Sequence, residues 1–268
     1  MAPMTPKEQD WNERLEREVY QRTLALQDSL KRLEALNSMR AQFVAIMSHE
    51  LRTPATALIG YADTLKEKWA KLPEKKIQKY LDVISEESSR MVTLMQEIFE
   101  ISRILEGKLS LQFQTADLIP LIGSAVKEFR LRYADKSFGF KETADSLEAK
   151  VDTLYFKSAL THVLLNAVKY TPDKGNILLF VESKGGEAVI RIEDDGPGIP
   201  REYREKAFEP FFRSMDNVNR KTPGAGLGLT IARGVIEAFK GRVVVADKLT
   251  GKQGCAVVIS IPLAGGSS

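Results

Sequence analysis

Residues 43–65, FVAIMSHELRTPATALIGYADTL, decide how the first half of the chain folds. Phe43, Met47, Leu51, Pro54, Leu58, Tyr61 and Leu65 recur at steps of 4, 4, 3, 4, 3 and 4, which sets them on one face of a helix. Pro54 withholds a backbone donor and should kink that helix. His49 lies about 200° around the helix from both Met47 and Leu51, so its imidazole should face water. Glu50 is its neighbour, and Thr53 follows one turn on, on the same side. An exposed imidazole beside a carboxylate is equipped to be a nucleophile. The carboxylate takes the ring proton while the other nitrogen attacks phosphorus. A histidine on an ordinary polar face is the commoner case for such a residue taken alone.

The helical pattern extends both ways. Residues 11–40 are rich in Glu, Arg, Leu and Gln and contain neither Gly nor Pro. Leu15, Val19, Leu26, Leu33, Leu36 and Phe43 fall on heptad positions, with Arg22, Ser29 and Arg40 interrupting the seam. This predicts an imperfect coiled coil, the alternative being a single solvated amphipathic helix. Downstream, AKLPE (70–74) breaks the pattern. A second helix follows with Ile77, Leu81, Ile84, Met91, Met95, Ile98 and Leu105 on one side and Gly107 as its stop. Two such helices form a hairpin that cannot bury both stripes alone, whereas a dimeric four-helix bundle would.

Beyond residue 110 helical and strand-like patterns mix. Residues 116–136 and 151–170 read as helices, the first with Asp117 near its N-cap and the second closed by Thr171-Pro172. NILLFVES (176–183) and EAVIRIED (187–194) alternate as strands around Lys184-Gly185-Gly186, a hairpin signal. LGLTIARGVIEAFKG (227–241) is a third helix, followed by the strands GRVVVAD and CAVVISIPL. The elements do not alternate strictly, so the expected fold is an α+β two-layer sandwich and not a doubly wound parallel sheet.

The bulk numbers exclude several classes. Of 268 residues, 43% are hydrophobic and 28% charged, enough for a sizeable core. A net charge of +3 spread over interspersed Lys and Arg is solvated surface, not a nucleic-acid footprint, so no nucleic-acid partner is expected. No apolar run is long enough to span a membrane, and the N-terminus lacks a signal-peptide core. The single Cys255 reads as an inert core residue, compatible with a reducing, cytoplasmic compartment. The ends MAPMTP and GGSS read as trimmed edges or disordered tails.

Four further constellations bear on chemistry. Asp194-Asp195-Gly196-Pro197-Gly198-Ile199-Pro200 follows a strand directly. Its glycines permit positive φ and close ligand approach, and a carboxylate there can accept from an exocyclic amine such as that of adenine. A plain surface turn is the other reading. Gly224-Ala225-Gly226-Leu227-Gly228-Leu229 opens a helix, offering backbone N–H groups to phosphate; it lacks the βαβ context of a dinucleotide fingerprint. His162, Asn166, Lys169 and Tyr170 share one helix. His162, Asn166 and Lys169 lie away from the centre of its apolar face; a carboxamide oxygen suits Mg²⁺ and an ammonium suits phosphate. Phe208-Glu209-Pro210-Phe211-Phe212-Arg213 precedes a polar basic segment that reads as a mobile lid, with Arg213, Arg220 and Lys221 available to phosphate.

In this order and at these separations, SHELRTP, LLNAVKYTP, DDGPGIP, FEPFFR and GAGLGL resemble the H, N, G1, F and G2 boxes of sensor histidine kinases. The resemblance covers roughly residues 37–263 and implies ATP and Mg²⁺ as cofactors. It implies His49 as phosphoacceptor, Glu50 as base, and Thr53 as the residue that positions water for dephosphorylation of a partner. Asn166 would hold Mg²⁺, Lys169 and Arg213 would contact phosphates, and Asp194 the adenine amine. Gly196, Gly198, Gly224, Gly226 and Gly228 would shape the pocket, with Tyr170 and Leu229 beside them. His162 stands where the family often carries a second Asn. Gyrase- or MutL-like ATPases and the mitochondrial dehydrogenase kinases share the nucleotide logic but lack the His-Glu-x-x-Thr hairpin. A non-catalytic scaffold usually loses the acceptor His, the Asn or the glycines.

The expected division is a coiled-coil signalling helix (1–40), a dimerisation and phosphotransfer domain (41–110), an ATP-binding domain of the GHKL type (111–263) and a tail (264–268). The expected partners are a second copy and a response-regulator receiver domain. No segment ahead of residue 11 is long enough to sense a signal, so either the sequence is a piece of a longer kinase or a separate sensor drives it.

Overall fold

The computed structural model describes residues 6–212, 225–251 and 253–265, without the side chains of residues 6–13, 16, 32, 33, 35, 36, 39, 40 and 42. Two compact units are distinguished, residues 1–49 and 50–268.

Helix α1 (Pro6–Lys68) runs uninterrupted through Pro54. In the first unit its heptad residues Leu15, Val19 and Leu26 are exposed in the single chain; the side chains of Leu33 and Leu36 lie outside the described residues. Sequence reading places the break near 70–74, and there the chain makes a short 3₁₀ turn (Trp69–Lys71) before Pro73 caps α2 (Glu74–Leu105). Gly107, at φ 64°, follows the helix end, as its position predicts.

Among the described residues of α2 the buried ones are Leu94 and Ile101, neither of them in the predicted stripe. Leu81, Met95 and Leu105 of that stripe are exposed. The helix therefore has two apolar sides. One packs against the sandwich, where Ile104 lies on Gly234 so closely that a Cβ at that glycine would collide with it. The other leaves Leu81, Met95 and Leu105 exposed among the described residues, while Ile77, Ile84, Met91 and Ile98 are half-buried.

The sandwich begins with β1 (Gln114–Asp117) and α3 (Leu118–Arg132), then β2 (Ser137–Glu142), β3 (Glu148–Val151) and α4 (Thr153–Tyr170). It continues with the hairpin β4 (Asn176–Lys184) and β5 (Glu187–Asp194), α5 (Gly228–Ala238), β6 (Arg242–Ala246) and β7 (Cys255–Pro262). The five-stranded sheet has the order β2-β4-β5-β7-β6, with only β2 and β4 parallel. Strands β1 and β3 pair separately. Buried Ile177, Leu179 and Val181 alternate along β4, and Ala188, Ile190 and Ile192 along β5, giving one covered face. Helices α3, α4 and α5 supply the cover, from Leu118 and Ile122 through Phe156, Leu160 and Leu164 to Ile231 and Val235. This is the expected two-layer α+β sandwich.

Two aspartates anchor the helix starts. Asp117 Oδ1 accepts from Ile119 N, capping α3, and from Leu147 N across the chain. Asp152 Oδ1 accepts from Leu154 N and Tyr155 N, capping α4, while Oδ2 accepts from Gln112 N. The second cap fixes the start of the helix that carries Asn166 and Lys169.

Candidate active site

A cavity of about 520 Å³ opens between α4, the end of β5 and the start of α5. Asn166, Lys169 and Tyr170 contribute from the last turns of α4, since three- and four-residue spacing sets Asn166 on the same side as the other two. Lys169 Nζ lies 5.1 Å from the Tyr170 ring centroid. Asp194 and Gly198 form the strand-end wall, and Gly226, Gly228 and Leu229 the wall at the head of α5. These residues come from three separate sequence blocks, and the fold brings them to one cavity. Arg213, Gly224 and the basic segment between them lie outside the described residues.

Asp194 is 6% exposed. Its Oδ1 accepts from Gly196 N at 2.8 Å, and its Oδ2 accepts from the Cys255 thiol at 3.3 Å. Burial pushes its carboxyl above the ordinary range, against these two hydrogen bonds. The adjacent Asp195 is held differently. Desolvation raises its carboxyl, but Lys248 and the backbone and side-chain nitrogens of Asn176 bond it and together hold it below the ordinary range. Two consecutive acids thus have separate roles: Asp195 ties the turn to the sheet, and Asp194 faces the cavity. Gly196 has no room for a side chain, because a Cβ would approach Asp194 Oδ1 to 2.6 Å and Tyr170 O to 3.0 Å. Gly198 is at φ 79°, which excludes most other residues.

Several lining residues are not legible as site residues in the sequence, Cys255, Arg90, Thr93 and Glu97 among them. Cys255, read as inert core, stands in the cavity wall, because the β5–β7 register pairs it with Asp194. Burial and the Asp194 carboxylate push its thiol far up, so it is protonated and unreactive, as an inert residue would be. Arg90, Thr93 and Glu97 arrive from α2. His162 joins them: its Nδ1 is 3.9 Å from Glu97 and its Nε2 3.5 Å from Glu100, which also accepts from Ser158 Oγ at 2.9 Å. Glu97 is raised above the ordinary range by burial, offset in part by His162 and Lys169. The only sequence signal for these was the oddity of a histidine in that helix.

His49 and Thr53 are both exposed side chains of α1. Glu50 is largely covered, at 15% side-chain exposure, and lies 3.6 Å from Arg90. Among the described residues no group of three His, Cys, Asp or Glu side chains is suited to an ion. The Asn166 carboxamide lines the cavity as a neutral oxygen donor of the kind a hard cation prefers.

The fold and cavity define a nucleotide-binding sandwich joined to a helical hairpin that presents an exposed histidine. Comparison with known families agrees with this description. The family of His Kinase A (phospho-acceptor) domains matches residues 39–107, and the family of histidine kinase-, DNA gyrase B- and HSP90-like ATPases matches 151–265. The circadian input-output histidine kinase CikA of Synechococcus elongatus is 30% identical over 95% of this chain and 34% of its own. The solved mycobacterial sensor histidine kinase MprB is 30% identical, with a TM-score of 0.50 over 57% of this chain and 98% of that one. Histidine kinase ThkA, solved in complex with the response regulator TrrA, is 26% identical, with a TM-score of 0.64 over 87% of this chain and 64% of that one. The chain belongs to the sensor histidine kinases. It spans 34%, 36% and 48% of the length of three curated relatives, CikA, KinB and BaeS. No described helix is long and apolar enough to cross a membrane.

Proposed function

We propose that this chain is the catalytic core of a histidine kinase that phosphorylates its own His49 from ATP and passes the phosphoryl group to a response-regulator aspartate. The observation that carries this reading is the pairing, in one chain, of an exposed His49, followed by the largely covered Glu50, on a phosphoacceptor hairpin with a cavity whose buried Asp194 suits the adenine amine. An ATPase of the gyrase type has use for the cavity alone.

In this reading one imidazole nitrogen of His49 attacks the γ-phosphorus, the bond to the β,γ-bridging oxygen breaks, and ADP leaves. Glu50 accepts the proton released from the other ring nitrogen. Asp194 accepts from the adenine amine, Gly196 and Gly198 let the turn close on the base, and Gly226 and Gly228 offer backbone N–H groups to phosphate, a role the sequence pattern gives to Gly224 as well. Lys169 and Arg213 balance phosphate charge, and Tyr170 and Leu229 line the pocket. Asn166 would hold Mg²⁺, which screens the phosphates and orients the γ-phosphoryl group. Thr53 has a hydroxyl with which to hold a water against a phosphorylated partner. The exposed Leu81, Met95 and Leu105 of α2, with the heptad residues of α1, support a homodimer through residues 41–110 with a coiled coil ahead of it. The ATP-binding domain is assigned to 111–263 and the remainder to a tail. The reaction needs cytoplasmic ATP and a receiver domain, and an upstream sensor, in the same chain or another, would set its rate.

Incubation with radiolabelled ATP tests the reading. The expected product is acid-labile and alkali-stable, and its label moves to a receiver domain on addition. Release of inorganic phosphate with no labelled protein would place the chain with the water-using ATPases instead.

A further inference from the structure

Arg90 of α2 has no part in the reaction as written above. Yet its guanidinium stands between the acid that follows His49 and the nucleotide cavity. Nη2 is 3.6 Å from Glu50 Oε2, and Nη1 is 3.8 Å from Glu87 Oε2. The same side chain lines the cavity beside Thr93, Leu94 and Glu97. It is 31% exposed, more than Glu50 at 15% or Glu87 at 23%.

Both pairings are loose. Each is longer than a hydrogen bond, and Glu87 Oε2 is buried without a hydrogen-bond partner among the described residues. A guanidinium carries five donors in a rigid fork, best satisfied by two oxygens of one carboxylate or phosphate. Two long contacts to separate carboxylates leave most of that capacity unused. A triphosphate entering the cavity brings several oxygens and more charge than either glutamate.

We infer that Arg90 is a positioning residue that acts through Glu50: it holds this carboxylate until ATP binds, and the phosphates then draw the guanidinium away. The inference rests on the reading of His49 and Glu50 as acceptor and base. Arg90 makes and breaks no covalent bond and carries no proton. Its movement frees the Glu50 carboxylate to take the His49 ring proton only when a phosphoryl donor is present. The ion pair and the nucleotide therefore compete for one guanidinium, and competition is measurable as affinity.

Isothermal titration calorimetry with ATP and Mg²⁺ on four proteins decides the matter: the parent, Glu50→Gln, Arg90→Met and the double variant. With glutamine at 50 the competing carboxylate is gone, so Glu50→Gln should bind ATP more tightly than the parent, by about 3- to 10-fold for a partly exposed ion pair. With methionine at 90, which keeps an apolar stem but no charge, that gain should vanish. A merely structural arginine would not make the Glu50→Gln gain depend on residue 90. Equal affinity of Glu50→Gln and parent overturns the inference. So does a gain that persists in the double variant, since that would be plain relief of repulsion between Glu50 and phosphate. If Arg90→Met melts well below the parent, Arg90→Gln in the same two backgrounds answers the same question. Labelling of the parent is scored separately. A parent that binds ATP but never labels His49 removes the acceptor–base reading, while insensitive affinities in a parent that does label remove only the role of Arg90.

Discussion

Replacing Asp194 with Asn separates nucleotide recognition from folding. In the parent, Oδ1 accepts from Gly196 N at 2.8 Å, and Oδ2 faces Cys255 and the cavity. An asparagine keeps its amide oxygen on Gly196 N–H and turns its NH₂ group to the position of Oδ2. There it meets the adenine amine donor to donor. Loss of a hydrogen bond to a charged acceptor is worth about 1.5–3 kcal/mol, which corresponds to about a 10- to 150-fold loss of ATP affinity. Folding should respond oppositely. Burial raises the Asp194 carboxyl in the folded chain. A group shifted this way favours the fold below its unfolded pKa and loses that contribution as pH rises through its folded pKa. At pH 7 the ionised, buried group is therefore a cost, and Asn removes it. Calorimetric titration should show the affinity loss, and the melting temperature of the nucleotide-free variant at pH 7 should be no lower than the parent's. The parent's own ATP affinity should weaken on acidification from a pH above the ordinary carboxylate range. ATP affinity within two-fold of the parent in a normally folded variant would refute the contact.

Asp152→Ala removes the α4 cap and orphans the Gln112 N–H. It should cost about 2–4 kcal/mol and lower the melting temperature by about 4–16 °C; a thermal melt within a degree of the parent would show the cap to be idle. The exposed stripe of α2 predicts a dimer by light scattering at micromolar concentration, and Leu81→Glu with Met95→Glu should shift it to monomer; a parent that is already monomeric contradicts the bundle. Thr53→Ala should keep autophosphorylation and transfer but lose dephosphorylation of the partner's receiver domain, followed as decay of phosphorylated regulator with ADP. Equal decay by parent and variant counts against the role given to Thr53.

Sequence alone made the long elements legible. The heptad spacing of α1, the alternation of β4 and β5 and the apolar face of α4 each span enough residues for a period to stand out. Strands β1, β2 and β3 went unread because they are four to six residues long, and β2 holds a glycine that lies against Leu178. The stripe predicted on α2 named Leu81, Met95 and Leu105 and missed Leu94 and Ile101. A helix with two apolar sides has no single face for a period to find. At the site, the glycines and Asp194 were legible because turn chemistry next to a strand is local. Cys255, 61 residues from Asp194, becomes its neighbour only through strand register. Arg90 and Glu97 reach the cavity only through the packing of α2 on the sandwich, for which the chain carries no local signal.

The central claim is that His49 receives phosphate from ATP held at the Asp194 cavity. The direct measurement is labelling of His49→Gln beside the parent, with ATP binding determined on the same preparations. The account predicts that the parent acquires one acid-labile label while His49→Gln acquires none and binds ATP with parental affinity. A label that persists in His49→Gln would contradict it.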